Sequence, residues 1–175
     1  IERIKTKGGS IRGYVQLTNG KNKLSNNVNK QIKLETKSKI CNVSFYKILN
    51  DNLKNTKIKL LKIINELKKQ ENSISGYGAS VGVTTFLYYF GISTQIDYLF
   101  DDNYAKYNLV SPGKNIHVID SKLINKYKPE YIIIFAWRYA DIIINKNKVY
   151  LDEGGKFIIP WPNIKIIDKY ALASG

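Results

Sequence analysis

The sequence predicts an α/β fold, a Rossmann-like doubly wound and mostly parallel sheet preceded by a long helix. The stretch 73–93 joins a strand-like segment to an apolar helix-like segment through a turn that contains Gly76, Gly78 and Gly82. The run YIIIF at 131–135 is apolar at every position, which is typical of a strand covered on both faces. Short strand-like and helix-like segments alternate through the second half of the chain, as they do in parallel sheets.

The long helix is predicted over Asn42–Glu71, where apolar residues recur at intervals of seven and lysines occupy much of the remainder. The recurring residues are Tyr46, Leu53, Leu60 and Leu67. Such a stripe is compatible with a coiled-coil seam, but it is more often the face of one helix that lies on a sheet, and we adopt that interpretation. Residues 1–41 are predicted to form a strand after Gly8-Gly9 and a mobile Asn/Lys-rich connector with room for a helical turn. Residues 42–175 form the predicted compact domain.

Runs of β-branched and aromatic residues, bounded by turn signals, predict five strands after the glycine turn. They are Gln95–Phe100, Ile116–Ile119, Tyr131–Phe135, Lys156–Ile159 and Ile164–Ile167. Helices are predicted to begin at Thr84 or Thr85, at Ser121 and at Ala140, the last of these continuing to Leu151.

The glycine turn can serve as an anion-binding loop or as a tight turn packed against its own helix. Glycines let backbone N–H groups approach a ligand, and the helix that follows adds unpaired donors and a partial positive charge. The spacing G-x-G-x-x-x-G matches neither the dinucleotide fingerprint nor a P-loop, so by itself it favours the packed turn. In a doubly wound sheet the turn would meet Asp101–Asn103 and Trp137-Arg138 at the carboxyl ends of the strands, where ligands bind.

Several polar residues at predicted strand ends have two interpretations. Asp101 and Asp102 can contact ligand hydroxyls or simply end a strand in a turn, and adjacent strand residues point to opposite faces. Arg138 suits a phosphate, or it can pair with Asp141. The single histidine, His117, lies in a strand-like run and is interpreted as a packed residue rather than a base.

Composition excludes some classes of protein. The formal net charge is +14, but arginine is scarce and the lysines accompany Asn, Ile and Tyr, which A/T-rich codons over-encode. We therefore interpret the charge as a solvated surface and expect no specific nucleic-acid partner. The single cysteine, Cys41, excludes an internal disulfide and a Cys-based zinc cluster. The chain has no Met, no signal-peptide pattern and no apolar run near the ~20 residues that span a membrane. We expect a cytoplasmic piece of a longer protein, with no membrane partner.

Five segments in order resemble the C-terminal domain of S-adenosylmethionine-dependent C-methyltransferases that act on nucleotide-linked deoxysugars. The resemblance covers nearly the whole chain apart from the Asn/Lys connector, and several segments in order are far more specific than any single one. They are GGSIRGYV (8–15), GYGASVGVTTFLYYFGI (76–92), IDYLFDDNYAKYNLVSPGKNIHV (96–118), PEYIIIFAWRYADIII (129–144) and EGGKFIIPWPNIKII (153–167).

The resemblance implies an upstream zinc-binding domain and an upstream methyl-donor-binding domain, neither of which is represented in this chain. Enzymes of the family remove a proton next to a sugar ketone and methylate the resulting enolate. S-adenosylmethionine would be bound by the upstream domain of the same polypeptide, which is the expected partner, and no cofactor would be bound by this portion. We carry over no catalytic residue and no metal ligand, and we do not expect the isolated portion to turn over substrate.

By resemblance and position, this portion is expected to hold the nucleotide-linked sugar. The predicted substrate-binding residues are Ser10, Arg12, Gly78, Ala79, Ser80, Thr84, Thr85, Asp101, Asn103 and Arg138. Two features depart from the family: Lys7 stands where many relatives have histidine, and the glycine turn has no Lys or Arg, which leaves backbone donors to contact phosphate. An acidic residue that binds a ribose would follow the glycine turn at a set distance, at the end of a supporting strand. We recognise no such residue in the sequence.

Two other functions are kept as alternatives. The first is a stand-alone, non-catalytic α/β module that binds a nucleotide-sugar or a protein. The second, with less support, is a nucleic-acid binder whose affinity is nonspecific and lost as the salt concentration rises.

Overall fold

The computed structural model describes residues 1–6 and 9–173 and forms two compact units, the first 53 residues and the residues from Lys54 onward. The division of packing therefore falls within the long helix. The domain boundary predicted between residues 41 and 42 stays a prediction. Lys7, the position that departs from the family, lies outside the described residues, as does Gly8 of the predicted glycine pair.

The first unit contains a β-hairpin and a helix. Strands β1 (Glu2–Ile4) and β2 (Ser10–Arg12) pair antiparallel, with Arg3 opposite Ile11. Helix α1 (Asn26–Lys37) has 12 residues, so the predicted connector contains a complete helix rather than a single turn. Its start is stabilised because the Ser25 side chain accepts a hydrogen bond from the Asn27 N–H at 3.2 Å.

Helix α2 (Val43–Lys69) confirms the long helix. Its buried residues are Leu60, Ile64 and Leu67, which share one face and join the hydrophobic core of the second unit. Two of these belong to the seven-residue repeat, so the stripe is the face of a helix that packs on a sheet and not a coiled-coil seam.

A six-stranded sheet organises the second unit. Its strands are β3 (Ile74–Tyr77), β4 (Leu99–Asp101), β5 (Val118–Asp120), β6 (Tyr131–Ile134), β7 (Lys156–Ile159) and β8 (Lys165–Ile167). Their spatial order is β5-β4-β3-β6-β7-β8, with every neighbouring pair parallel except β7 and β8. Numbered from β3, this is the 3-2-1-4-5-6 order of the Rossmann fold, which confirms the predicted fold class.

Two hydrophobic clusters cover the two faces of the sheet. Ile133 packs with α2 and with α3 (Val81–Phe90), whereas Ile132 and Ile134 pack with α5 (Ala140–Lys146) and α6 (Lys148–Asp152). The alternation follows from the strand period of two, which sends successive side chains to opposite faces. All three isoleucines are fully buried. Short helices α4 (Ile124–Tyr127) and α7 (Lys169–Ala173) complete the unit.

Several predicted boundaries are wrong. Helix α3 begins at Val81 with Ser80 as its N-cap, so Thr84 and Thr85 lie inside the helix and not at its start. The segment predicted to begin at Ser121 is preceded by Asp120, whose carboxylate accepts the capping hydrogen bond. The helix predicted from Ala140 to Leu151 is interrupted at Asn147.

Four of the five strands predicted after the glycine turn are also shorter than predicted, and only Lys156–Ile159 has the predicted bounds. Ser93–Gln95 forms a 3₁₀ turn, so the strand begins at Leu99 rather than Gln95. His117 is exposed and joins Val110 through one isolated bridge, which contradicts its interpretation as a packed residue. Among the described residues, no helix combines the length and the apolar character needed to cross a membrane.

Candidate functional site

The carboxyl edge of the sheet has its switch point between β3 and β6. From β3 the strand order runs through β4 in one direction, and from β6 it runs through β7 in the other. In open α/β sheets, ligands bind in the crevice outside such a switch point. The segments that leave the two strands here are Gly78–Ser80 and Phe135–Arg138.

Gly78 is required by the geometry of this edge. Its φ of +101° is rarely adopted by residues with a side chain, and an added Cβ would lie 3.1 Å from the Ala136 Cβ and 3.3 Å from the Ala136 nitrogen. The Ala136 N–H also donates to the Tyr77 carbonyl at 3.2 Å. The turn after β3 therefore passes directly over the end of β6, which supports the packed-turn interpretation at this position.

Asp101, at the end of the neighbouring strand β4, holds the glycine turn in place. Its carboxylate accepts hydrogen bonds from the Ala79 N–H at 2.6 Å, the Asn103 N–H at 2.8 Å and the Lys106 Nζ at 3.0 Å. The side chain is only 10% exposed. The Ala79 N–H, which we expected to face a ligand phosphate, is thus already engaged by an internal acceptor.

The expectation that no acidic residue follows the turn at a suitable distance is wrong. β4 pairs directly with β3 and ends at Asp101, 23 residues after Gly78. An acidic residue about 20 residues beyond the turn, at the end of this neighbouring strand, is where Rossmann folds bind a ribose hydroxyl. The sequence did not reveal this role of Asp101, because it does not show that the strand ending at Asp101 pairs with the strand that precedes the glycine turn.

A second polar cluster surrounds the Asp102 Oδ1. The Tyr77 hydroxyl donates to this oxygen at 2.9 Å, and the Ser121 hydroxyl and the Lys146 ammonium also donate to it. Lys146 additionally contacts the Ser121 Oγ at 3.2 Å. These groups come from the ends of β3 and α5 and from the residues that follow β4 and β5. We call the four residues Tyr77, Asp102, Ser121 and Lys146 the Asp102 cluster.

The Asp102 cluster was missed by sequence reasoning. Tyr77 and Ser121 are adjacent to strand ends, which is the one signal that could have identified them. Lys146 is 44 residues from Asp102 and ends a helix, so nothing local connects the two. The pairing of β3, β4 and β5 brings Tyr77, Asp102 and Ser121 together, and α5, which packs on one face of the sheet, supplies Lys146.

Charges within the Asp102 cluster shift its titration. Although partial desolvation acts to raise the pKa of Asp102, the hydrogen bonds from Lys146, Ser121 and Tyr77 hold that pKa below its usual value. Desolvation acts to lower the pKa of Lys146, but its interactions with Asp102 and Tyr77 raise that pKa overall. Desolvation, together with Asp102, raises the pKa of Tyr77. The carboxylate and ammonium are therefore both charged, and the phenol neutral, near neutral pH.

The other predicted residues of the second unit are distributed around the edge. Ser80 is exposed at the start of α3, and its side chain makes no capping hydrogen bond. Thr85 is exposed on the same helix. The Asn103 side-chain Oδ1 accepts from the Ala105 N–H at 3.1 Å and so caps a 3₁₀ turn. Arg138 is exposed in the turn after β6. Within residues 1–6 and 9–173, the alternative ion pair between Arg138 and Asp141 is not formed.

The remaining two predicted residues belong to the first unit. The Ser10 hydroxyl donates to the Thr6 carbonyl at 2.9 Å, and the Arg12 Nη1 lies 3.7 Å from the Glu2 Oε2. Both side chains of the Arg12–Glu2 pair are more than half exposed, so the pair contributes little to stability.

A small cleft lies beside α3 on the Asp101 side of the edge. It has a volume of about 100 Å³ and is lined by Ala79, Ser80, Thr84, Lys106 and Pro112, among others. Complete small-molecule sites have volumes of roughly 300–1,000 Å³. Beside α3, the carboxyl edge therefore presents a small open recess rather than an enclosed pocket.

Acidification is expected to destabilise the chain below about pH 4. Hydrogen bonds from the Ser73 hydroxyl and N–H lower the pKa of Glu130, and the pKa of Asp102 is also lowered. For a lowered pKa, the stabilisation is present above the unfolded-state pKa and is lost as the pH falls through the folded-state value. Urea unfolding at several pH values should show that the midpoint concentration of urea falls as the pH is lowered. In Glu130→Gln this midpoint should depend less steeply on pH. The exposed control Glu66→Gln should leave the slope unchanged; an equal effect of both variants would contradict the assignment to Glu130.

The strand order and the carboxyl edge define a Rossmann-like α/β unit. Residues 5–162 match the family of the C-methyltransferase C-terminal domain, and the chain belongs to this family. The chain is also 31% identical over 96 residues to the C-methyltransferase NovU of Streptomyces niveus. That match covers 54% of this chain and 23% of the relative, so the matched part of the chain spans about a quarter of the relative's length.

Proposed function

We propose that this chain is the substrate-binding, C-terminal portion of an S-adenosylmethionine-dependent C-methyltransferase that acts on a nucleotide-linked keto-deoxysugar. The observation that carries the proposal is the family match over residues 5–162. In this reaction a base removes a proton from the carbon next to the sugar ketone, and the resulting enolate carbon takes the methyl group from the sulfonium of the donor. This portion contributes binding and orientation of the substrate, and we assign it no catalytic residue.

The nucleotide-sugar is proposed to lie across the carboxyl edge of the sheet. The first turn of α3 supplies N–H groups that are not covered by a side-chain cap, and its dipole favours an anion by about 0.3–1 kcal/mol. Because the Ala79 N–H is engaged by Asp101, the phosphate contact falls to Ser80 and to the turn that follows it. Thr84 lines the adjacent cleft. Arg138, exposed at the other side of the switch point, supplies the guanidinium that the glycine turn lacks.

The methyl donor is proposed to be bound outside this chain. A cofactor of this size needs an enclosed site, whereas the cleft beside α3 has a volume of about 100 Å³. One N–H donor of the glycine turn is also unavailable to a cofactor, because the Ala79 N–H already donates to Asp101. The partner is accordingly the methyl-donor-binding domain of the same polypeptide, and the isolated chain should not turn over. The single cysteine agrees with the cytoplasmic location that we propose.

A residue-by-residue NMR titration with a nucleoside diphosphate tests the proposal. We expect weak binding, with shifts clustered at Gly78–Thr85 and around Arg138. Arg138→Gln should weaken binding at least 10-fold, because a charge-assisted hydrogen bond contributes about 1.5–3 kcal/mol. The control Lys148→Gln, which removes an exposed charge from α6, should change affinity less than twofold. Shifts confined to α1 and α2 would show that the ligand face has been assigned wrongly.

A further inference from the structure

The two adjacent aspartates at the end of β4 differ in what their oxygens contact. Both oxygens of Asp101 are occupied by internal donors, and its side chain is 10% exposed. Asp102 uses only Oδ1, to which Tyr77, Ser121 and Lys146 all donate. Among the described residues none donates to its Oδ2, and the Asp102 side chain is 54% exposed. One carboxylate is therefore closed to a ligand and the other has a free oxygen.

The position of Asp102 corresponds to a known type of contact. It directly follows the strand next to β3 and lies 24 residues after Gly78. In Rossmann folds, the acidic residue at this strand end accepts a hydrogen bond from a ribose hydroxyl. A hydroxyl contact needs an acceptor with a free lone pair and a fixed orientation. Oδ2 of Asp102 supplies the free lone pair. The three donors of the Asp102 cluster fix the orientation of the carboxylate through Oδ1.

We propose that Asp102, and not Asp101, is the carboxylate that accepts a hydrogen bond from the furanose hydroxyl of a nucleoside. The inference rests on the proposed function, because it assigns a residue to the nucleotide end of the substrate. Lys146 has a second effect in this arrangement. Its ammonium neutralises the carboxylate, so that Asp102 does not repel the phosphates of the same ligand. Tyr77, Ser121 and Lys146 are positioning residues that orient the carboxylate.

Two ligands could supply such a hydroxyl. One is the nucleotide-linked sugar, through its nucleoside, and the other is the methyl donor, through its adenosine. The first is favoured because the cleft beside α3 is small and the Ala79 N–H is engaged. Titrations of the full chain with uridine diphosphate and with S-adenosylhomocysteine separate the two sources. We expect uridine diphosphate to bind and S-adenosylhomocysteine not to bind. Binding of S-adenosylhomocysteine that is lost in Asp102→Asn would overturn the assignment to the sugar nucleotide.

A ligand series tests the hydroxyl contact in the unaltered protein. Uridine diphosphate, its deoxyribose analogue and its dideoxyribose analogue differ only in their sugar hydroxyls. We expect the dideoxyribose analogue to bind about 10-fold more weakly than uridine diphosphate, because a hydrogen bond to a charged acceptor is lost. The deoxyribose analogue identifies which hydroxyl is responsible. Equal affinity for all three ligands would overturn the inference without any variant.

The matched protein variants are Asp102→Asn and Asp152→Asn, which change the net charge equally. Asp152 is exposed at the end of α6. In Asp102→Asn, uridine diphosphate and its dideoxyribose analogue should bind alike, whereas Asp152→Asn should keep the 10-fold difference. Thermal unfolding checks that each variant is folded. If the unaltered chain binds uridine diphosphate but Asp102→Asn keeps the difference, the inference fails and the proposed function stands. If the unaltered chain binds no nucleoside diphosphate, both fail.

Discussion

Replacing the buried Asp101 with alanine should lower the free energy of unfolding by about 3 kcal/mol, since the variant loses several hydrogen bonds and leaves a part-buried N–H and an ammonium without their acceptor. The Ala79 N–H at 2.6 Å and the Lys106 Nζ at 3.0 Å both depend on this carboxylate. The glycine turn should also lose its fixed position over the end of β6, so nucleotide affinity should fall together with stability.

Asp97→Ala is the matched control for this variant. Asp97 also accepts a backbone hydrogen bond, from the Ile74 N–H at 3.0 Å, but its side chain is 42% exposed. Water can replace the lost acceptor there, so the cost should be about 1 kcal/mol. Urea unfolding of both variants measures the difference. Equal losses would mean that the burial of Asp101 does not contribute to its effect.

Gly76→Ala should destabilise the second unit by about 2–3 kcal/mol through overpacking. A Cβ at Gly76 would lie 2.4 Å from the Cε2 of Phe135 and 2.6 Å from the Cδ2 of Leu99. Both neighbours are buried in the cluster that packs with α2 and α3, so neither has room to move away. Thermal or urea unfolding checks the loss, and nucleotide titration shows whether the switch point is displaced as well.

Gly82→Ala provides the control within the same glycine-containing stretch. Its Cβ would have only the Ser80 Oγ nearby, at 3.8 Å, and Gly82 lies within α3. Alanine is a better helix former than glycine, so this variant should gain about 0.5–1 kcal/mol. If both variants destabilise the chain equally, the loss at Gly76 does not come from the contact with Phe135.

The fold class could be predicted from the sequence because its signals are local. The leucine stripe of α2 indicates that one face of the helix is buried. The apolar run of β6 indicates that both faces of the strand are buried. Periodicity therefore predicts that such elements exist and whether one face or both are covered. The alternation of helices and strands then leaves few topologies, of which the doubly wound sheet is one.

The character of the site was decided by tertiary structure. The glycine spacing did not distinguish the strand residue Gly76, which accommodates Phe135, from Gly78, whose positive φ makes the turn. Nor could it show that Asp101 engages the Ala79 N–H, 22 residues away, and that Lys146 reaches Asp102, 44 residues away. The first contact exists because β4 pairs with β3, and the second because α5 packs on one face of the sheet. Strand order depends on packing between distant segments, and local periodicity carries no information about which strands become neighbours.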